Sequence, residues 1–466
     1  MLDSWTWLEW LALVEHELLL FAGVFFLLGA LDEFAVDIAW FWLRLTGRAE
    51  TPVLHTADLR HRRLGGRAAV FIPAWEESSV IADTLVHMLG AWPQADLRIY
   101  VGVYRNDAAT LAAAATGAAD DARVRIVIVD EDGPTTKADC LNTLYRALER
   151  DELRERFRAH MVLLHDAEDM VDPAALALLD RAVERSQFVQ LPVLPMPQTG
   201  RRWLGSHYCE EFAEAHGKAM VVRGALARSI PAAGVGCAFD RDMLARLAKA
   251  AGRDVPFDED SLTEDYELGL KIAELGGKTQ FLRVRSDDGR LIATRSYFPG
   301  QLRRSVRQKA RWMHGIALQG WDRMGWSGGW AERWMRLRDR RGPLAAIVLL
   351  TGYTLLFLST VLAGLGLAGF DRPWEPSTFL LVLIAINLAS FVWRAFMRFT
   401  FTRAEYGWRQ GLLAMVRIPV TNVINIMAGM RALAAYGRTL RGAAPVWEKT
   451  SREGDPVRPL ALEGGR

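Results

Sequence analysis

The chain has 466 residues, of which 51% are apolar and 24% charged, with a formal net charge of +2. This length allows two or three domains, and the charged fraction excludes a disordered or collagen-like chain. The balanced charges give no reason to expect a nucleic-acid partner, while seventeen tryptophans on a chain with a mean hydropathy of only +0.05 indicate a membrane protein with a soluble part.

The first predicted element is a transmembrane helix at about residues 10–31, followed by an interfacial part, so that residues 1–45 form one region. A cleaved signal peptide is the alternative. The segment lacks both a basic region before the apolar stretch and a small-residue cleavage site, and we expect it to remain as an anchor. Glu15 and Glu17 are expected near one interface or facing other helices.

Residues 46–320 are predicted to form an α/β domain, because short apolar runs alternate there with helical patterns. The predicted strands are 68–73, 97–104, 123–130, 161–165 and 188–192. The predicted helices are 79–89, 111–119, 138–150 and 173–185. Sheets of this kind bind ligands at the carboxyl ends of their strands, so we expect the polar residues after each strand to form a site.

Carboxylates and one lysine follow these strands. Glu76 and Glu77 follow the first strand, Asp107 the second and Lys137 the third, and the fourth is followed by HDAED at 165–169. Side chains two residues apart in an extended segment share a face, so Asp166 and Glu168 could bind one Mg²⁺ or Mn²⁺, with Asp169 as the alternative second ligand. The other interpretation is an acidic helix start before the helix at 173–185.

Two later motifs could also contribute to a site. Asp265, at the start of a predicted helix, could act as a general base, although Thr263 and the acidic residues could simply cap that helix. Gln308, Arg311 and Trp312 share one face of a basic helical segment at 301–319. They could hold a diphosphate and stack against a sugar, or the basic face could bind anionic headgroups.

The carboxyl-terminal part is predicted to return to the membrane. Its apolar spans are 342–370 and 376–393, joined by a short turn at 371–375. The segment 411–430 has Arg417 and Pro419 at its centre, which favours an interfacial or re-entrant helix over a span. The predicted regions are a basic juxtamembrane linker at 321–341, a transmembrane hairpin at 342–400, the interfacial or re-entrant segment at 401–440 and a flexible tail at 441–466.

Arginines flank these spans on one side. By the positive-inside rule, residues 44–341 and the carboxyl terminus are predicted to be cytosolic, with the amino terminus and the hairpin turn outside. Cys140, Cys209 and Cys237 all fall in the cytosolic part without CxxC spacing, which predicts reduced thiols and no structural metal.

Five motifs resemble, in order along the chain, those of membrane-embedded family-2 inverting glycosyltransferases, which include the synthases of cellulose, chitin and hyaluronan. They are IPAWEE at 72–77, KADCLN at 137–142, DAE at 166–168, TED at 263–265 and QKARW at 308–312. With Gly234-Val235-Gly236, these motifs are also similar to the glycosyltransferase part of the bacteriophage adsorption protein B family. The resemblance implies a GT-A fold, an α/β domain with a mixed Rossmann-like sheet, joined to about three transmembrane helices.

The resemblance implies a role for each matching residue. The implied nucleotide-sugar contacts are Pro73, Trp75, Glu76, Glu77, Asp107, Lys137, Asp139 and Asp166. Asp166 and Glu168 would bind Mg²⁺ or Mn²⁺. The catalytic pair would be Glu264 and Asp265, with Asp265 as the base. Gln308, Arg311 and Trp312 would hold the diphosphate and the acceptor.

The function implied is that of a hexosyltransferase of the bacterial inner membrane, which uses a UDP-hexose or UDP-N-acetylhexosamine to build a cell-surface glycan. One alternative is transfer of a single sugar to a polyprenyl phosphate, and another is a non-catalytic scaffold or phage receptor component. The expected partners are the UDP-sugar donor, a glycan or lipid-linked acceptor, membrane lipids, an outer-membrane or periplasmic export partner and a regulatory subunit.

Overall fold

The computed structural model describes residues 6–198, 203–370 and 376–442. The predicted hairpin turn at 371–375 and nearly all of the predicted tail at 441–466 lie outside these residues. The helices, in chain order, are α1 (Trp7–Leu45), α2 (Ile81–Ala91), α3 (Ala108–Ala118), α4 (Lys137–Glu155), α5 (Ala175–Val183), α6 (His207–Glu214), α7 (Met220–Leu226), α8 (Arg241–Ala250), α9 (Glu264–Glu274), α10 (Leu302–Trp312), α11 (Gly320–Met324), α12 (Trp330–Arg340), α13 (Gly342–Leu367), α14 (Thr378–Tyr406), α15 (Trp408–Val416) and α16 (Ile418–Thr439).

Two π-helical turns, Ala215–Ala219 and Met313–Gln319, extend α6 and α10. The strands are β1 (Val53–Leu54), β2 (Arg67–Ala74), β3 (Leu97–Tyr104), β4 (Val124–Val129), β5 (Ala159–Leu164), β6 (Phe188–Gln190), β7 (Val193–Pro195), β8 (Cys237–Asp240), β9 (Thr279–Phe281), β10 (Arg285–Ser286) and β11 (Thr294–Ser296).

The central sheet has seven strands in the order β4-β3-β2-β5-β8-β6-β9. All of them run parallel except β8, which is antiparallel to both β5 and β6. The predicted strands at 68–73, 97–104, 123–130, 161–165 and 188–192 correspond to β2 to β6, with ends that differ by a few residues. The prediction of a mixed sheet is therefore confirmed.

Helices cover the two faces of this sheet. Alternate residues of β2 point to opposite sides, so that Val70 and Ile72 pack with α2, α3 and α5 in one apolar core. Phe71 packs with α4, α8 and α9 in the other. A strand that is buried on both faces needs a continuous apolar run, and this explains the sequence of β2.

The first helix, α1, is continuous from Trp7 to Leu45 and covers both the predicted span at 10–31 and the predicted interfacial part. Asp32 and Glu33 lie inside α1 and bind Arg338 and Arg341, which flank the end of α12. Glu33 also binds Arg394 of α14, with 2.6 Å between nitrogen and oxygen. Partners on other helices thus neutralise the charges of Asp32 and Glu33 within α1.

In the part of the chain that the structure describes, four helices are long and apolar enough to cross a membrane, namely α1, α13, α14 and α16. The first three correspond to the three predicted spans. The segment predicted to be interfacial, 411–430, is divided between α15 and α16 at Arg417. Length and composition alone thus give a fourth candidate span where the sequence favoured an interfacial helix.

Candidate active site

A cavity of about 330 Å³ opens at the carboxyl ends of the central strands. Its walls come from the ends of β2 and β5 and from the helix termini at the start of α4, the start of α9 and the end of α10. Twelve of the candidate site residues from the sequence line it: Pro73, Trp75, Glu77, Lys137, Asp166, Glu168, Asp169, Glu264, Asp265, Gln308, Arg311 and Trp312.

Lys137 lies at the centre of the charged side of this cavity. Its Nζ donates to Oδ1 of Asp166 over 2.6 Å and lies 3.5 Å from the carbonyl oxygen of Gly234. Burial alone would lower the pKa of Lys137, but the carboxylates of Asp166, Glu264 and Asp265 outweigh burial and raise it. The lysine therefore stays charged and offsets part of the negative charge of three carboxylates.

A buried pair at the cavity wall, His165 and Asp169, shapes the turn after β5. Oδ2 of Asp169 accepts from the backbone N–H of Asp166 over 3.0 Å and lies 2.9 Å from Nδ1 of His165. Asp169 is only 1% exposed and His165 only 2%. Asp169, which the sequence left as an alternative metal ligand, therefore braces the turn and also lines the cavity, as Asp166 and Glu168 do.

Glu264 and Asp265 begin α9 and both line the cavity. Burial raises the pKa of Glu264 to about 7, and the adjacent Asp265 carboxylate adds to this rise while Lys137 opposes it. Burial also raises the pKa of Asp265, against the opposing effects of Lys137 and of a hydrogen bond from the backbone N–H of Tyr266. Two carboxyl groups with raised proton affinity thus lie beside one another in the cavity.

Gly234 lets the Asp265 carboxylate approach the loop before β8. The φ of Gly234 is +74°, and a Cβ on this residue would overlap Oδ2 of Asp265. Glycine is required here for two reasons, because the backbone is left-handed and because the carboxylate occupies the space of a side chain. The Gly234-Val235-Gly236 segment thereby contributes to the placement of Asp265.

The end of the cavity near β2 and β3 is aromatic. The rings of Trp75 and Tyr104 meet edge to face with centroids 5.1 Å apart. A Cβ at Gly133 would overlap the Trp75 ring, so the loop before α4 lies directly against the indole. Asn106 holds this loop through two hydrogen bonds with the backbone of Gly133, of 2.9 and 3.0 Å.

The opposite end is formed by the cavity face of α10. Gln308, Arg311 and Trp312 all point into the cavity, as their helical spacing predicted. The Trp312 ring lies 6.4 Å from the rings of both Phe212 and Phe298. The cavity therefore runs from an aromatic pair at one end, past a charged centre, to an aromatic cluster at the other.

Three residues from the sequence-based set do not line the cavity. Asp107 caps α3 by accepting from the N–H of Thr110, and it also accepts from the N–H of Glu76 over 2.6 Å. Glu76 itself is exposed. Asp139 lies in the first turn of α4, with its N–H bound to Thr136. Asp107 therefore shapes the loop after β2. Neither Asp107 nor Asp139 lines the cavity.

Sequence reasoning missed several lining residues. Tyr104 is the last residue of β3, directly before the loop that contains Asp107. Phe212 of α6 and Phe298 after β11 belong to no motif. The position of Tyr104 at a strand end was a usable signal, whereas nothing in the local sequence marks the two phenylalanines, which reach the cavity only through long-range packing.

Residues 66–315 match the family described as glycosyltransferase like family 2. The chain is 31% identical, over 96% of its length, to bacteriophage adsorption protein B of Escherichia coli K12 and to bacteriophage N4 adsorption protein B of Escherichia coli O157:H7. It spans 63% of the length of each of these relatives. The expected resemblance to the adsorption protein B family is therefore confirmed.

The fold is also found among solved structures. A mannosyltransferase from Pyrobaculum calidifontis, solved in complex with GDP-Man and Mn²⁺, superimposes with a TM-score of 0.51 at 15% identity. The superposition covers 91% of this chain and 99% of the mannosyltransferase. At this identity the likeness concerns the fold alone, and it confirms the predicted GT-A architecture.

Proposed function

Because the chain belongs to the glycosyltransferase-like family 2, we propose that it transfers a sugar from a nucleoside-diphosphate donor to a hydroxyl group of an acceptor at the membrane. The observation that carries this proposal is the cavity, in which the carboxylates Glu264 and Asp265 and the cations Lys137 and Arg311 line one space of a size suited to a small ligand. In a displacement reaction, a carboxylate can accept the proton of the attacking hydroxyl, and cations can stabilise the leaving diphosphate.

Asp265 is the proposed base. A carboxylate with raised proton affinity can take the proton of the acceptor hydroxyl as that oxygen attacks the anomeric carbon. The bond to the diphosphate oxygen breaks on the opposite side, so a single displacement inverts the configuration at that carbon. By analogy with glycoside hydrolysis, one base without a covalent carboxylate intermediate is the inverting pattern.

The leaving diphosphate needs positive charge and hydrogen-bond donors. Arg311 and Gln308 project from the cavity face of α10, and Lys137 lies at the start of α4. Cations aimed at the oxygens where charge develops stabilise the transition state more than the ground state. The aromatic end at Trp75 and Tyr104 suits a nucleobase, and the end at Trp312 suits the ring of an acceptor sugar.

The donor set of Asp166 and Glu168 fits a divalent cation in part. Both are hard oxygen ligands on one turn and both line the cavity. No group of three or more His, Cys, Asp or Glu suited to a metal occurs among the residues that the structure describes. The two carboxylates thus fit Mg²⁺ or Mn²⁺ that takes its other ligands from the diphosphate, as such ions commonly do. Bound there, the ion would neutralise charge on the leaving group.

Removal of divalent metal is expected to abolish transfer, and Mn²⁺ or Mg²⁺ is expected to restore it. The Glu168→Gln variant keeps the size of the side chain but loses its charge. We expect its half-saturating metal concentration to rise by at least the roughly 10–100-fold that loss of an outer-shell partner costs a metal site. Activity titrated against metal after chelation measures this, and unchanged metal dependence in the variant would exclude Glu168 as a ligand.

The rate of transfer is expected to depend on pH in two steps. Asp265 must be ionised to act, so its raised pKa moves the loss of kcat/KM on the acid side to a higher pH than an ordinary aspartate would give. A second rise is expected near pH 7, where ionised Glu264 increases the proton affinity of Asp265. Rate profiles of the wild type and Glu264→Gln test this, because the variant should lose only the step near pH 7. A step that persists in the variant contradicts the assignment.

We assign the reaction to the inner membrane of a bacterium, with the catalytic domain in the cytosol and the product a cell-surface glycan. Four candidate spans and the arginines next to them support this placement, as does the likeness to the adsorption proteins of Escherichia coli. The proposed donor is a UDP-hexose or UDP-N-acetylhexosamine.

A second candidate function is transfer of one sugar to a polyprenyl phosphate. The aromatic cluster of Phe212, Phe298 and Trp312 favours it, because an apolar wall at the acceptor end suits an amphiphilic acceptor. The two candidates differ in product. The first gives a chain of sugars, whereas the second gives a single-sugar lipid that forms only when lipid phosphate is added.

Released nucleotide tests both candidates. The purified protein is incubated with metal and, in turn, with UDP-, GDP- and other nucleotide-sugars, and the nucleoside diphosphate is measured. We expect release with one class of donor and a labelled product on the membrane. Labelled product that extracts into organic solvent only, and never as a polymer, would select the second function over the first. No release with any donor would overturn the proposal itself.

A further inference from the structure

The segment 407–442, which contains α15 and α16, has an unusual charge. It contains five arginines and no aspartate or glutamate. Arg417 is neutralised inside the protein by Glu210 of α6, with 3.0 Å between nitrogen and oxygen. Arg409 and Arg438 are exposed. The segment is therefore basic at its surface, and basic surfaces attract anionic headgroups.

The same two helices expose an apolar stripe. The exposed residues follow helical spacing and are Trp408, Leu412 and Val416 on α15 and Val423, Met427 and Met430 on α16. The opposite face of α16 is buried, with Ile424, Ala428 and Ala432 at 0–1% exposure. Each helix is thus two-sided, with one face on the protein and an apolar face directed outward.

Contacts along α16 show how the helix lies. Arg417 at its start binds Glu210 of α6, Asn425 near its middle binds Lys309 of α10 over 2.9 Å, and Tyr436 near its end binds Asp322 of α11 over 2.8 Å. Nineteen residues of helix cover about 28 Å, nearly the thickness of the hydrocarbon core. A crossing helix would carry one of these ends far from the domain, yet start, middle and end all contact helices between residues 207 and 324.

We propose that α15 and α16 lie in the plane of the membrane leaflet next to the catalytic domain and bind an anionic lipid surface. Their apolar stripe enters the acyl boundary and their arginines lie among the headgroups. The packing of α15 on α14 and of α16 on α13 makes this surface continuous with two candidate spans. The fourth candidate span is then a docking surface for lipid, and three helices cross.

Contacts of Lys309 connect this lipid surface to the cavity. Its Nζ donates to Oδ1 of Asn425 on α16 and to both carboxylate oxygens of Glu211, at 2.5 and 2.7 Å. Lys309 is adjacent to Gln308, and Glu211 is adjacent to Phe212, and both of these neighbours line the cavity. Asn425 is therefore a positioning residue for the cavity face of α10, a role that rests on the proposed transferase function.

Spin labels on cysteines introduced into the full-length protein test the orientation of α16. Val423→Cys, Met430→Cys and Ala434→Cys lie on the exposed stripe and span eleven residues. Leu381→Cys, Leu388→Cys and Val392→Cys span the same length of the exposed face of α14 and serve as the crossing control. The three native cysteines are buried, so the labels are selective.

The depth of each label is measured in nanodiscs made of phosphatidylcholine and phosphatidylglycerol in equal parts. We expect the three α16 labels to lie at one shallow depth, while the α14 labels change depth by about 16 Å along the helix. A similar change of depth along α16 means that it crosses, and labels exposed only to water mean that it does not bind lipid. Either result overturns the proposal, and neither depends on enzyme activity.

Asn425→Leu, Asn425→Asp and Asn422→Leu test the positioning role in the same nanodiscs. Leucine at 425 removes one of the two acceptor residues of Lys309 and leaves Glu211 as the other. We expect kcat to fall about tenfold with the donor KM little changed. Aspartate keeps an acceptor oxygen and should restore the rate. Asn422 lies one turn earlier on α16 and bonds only weakly to Tyr353, at 3.4 Å, so Asn422→Leu is the matched control. Equal losses in both leucine variants, or no rescue by aspartate, contradict the positioning role of Asn425. Inactivity of the wild type with every donor contradicts the proposed function, but it does not affect the depth measurement.

Discussion

Replacing Asp265 with asparagine is expected to lower kcat for sugar transfer by a factor of about 10²–10⁴, the usual contribution of a general base. Asparagine has nearly the same shape and keeps the oxygen that accepts from the N–H of Tyr266. The start of α9 should therefore remain as it is, and the donor should still bind. Initial rates with saturating donor, together with donor binding measured separately, check both expectations.

The control is Asp260→Asn. Asp260 lies five residues earlier on an exposed part of the same loop. Its hydrogen bonds are made by its backbone, whose carbonyl accepts from Gln319 and whose N–H donates to Asp258. This variant should retain the wild-type rate. An Asp265→Asn protein that transfers sugar normally would remove Asp265 as the base, and full support of the cellular phenotype by an inactive protein would favour a non-catalytic scaffold.

Replacing Gly234 with alanine is expected to reduce kcat by roughly 10²-fold, because displacement of a reacting group by about 1 Å can have this effect. The new Cβ would overlap Oδ2 of Asp265, and the carboxylate must move away from the loop before β8. The carbonyl of Gly234 also faces Lys137, so the charged centre would be disturbed as well. Steady-state rates and thermal stability of the purified variant should be measured together.

Gly252→Ala separates the overlap from the backbone effect. Gly252 has a similar left-handed φ of +65°, but a Cβ there would meet no atom within 4 Å. Alanine has a cost of about 1 kcal/mol in this conformation at either position. We therefore expect both variants to be less stable, while only Gly234→Ala loses activity. Equal activity of the two variants would show that the space beside Asp265 is not needed.

Much of the catalytic domain could be predicted from the residues. Strands such as β2 and β3 are buried on both faces, and a strand of this kind leaves a continuous apolar run that is visible without a structure. β8 and β9 were not predicted, because runs of four and three residues are too short to show a period. The pairing that places them in the sheet is long-range.

The candidate site was predictable where a charged residue directly follows a strand or begins a helix. Lys137, Asp166 and Asp265 do so, and each lines the cavity. Asp107 occupies an equivalent position, but its carboxylate is taken up by the N–H groups of Glu76 and Thr110. Position along the chain identifies which polar groups lie near the strand ends. It does not show whether the backbone of a neighbouring loop will bind them first.

The acidic residues of α1 have a consequence for the order in which the protein is assembled. Glu33 and Asp37 belong to α1, which is synthesised before the segments that carry their partners Lys218, Arg394 and Trp393. The last two of these lie more than 350 residues later, on α14. A nascent chain that has not yet reached α14 holds these carboxylates without those two partners, so α1 reaches its final packing only after the rest of the protein has been synthesised. The amino-terminal helix is therefore a late-completing part of the assembly, and a generic membrane anchor without these carboxylates could not replace it.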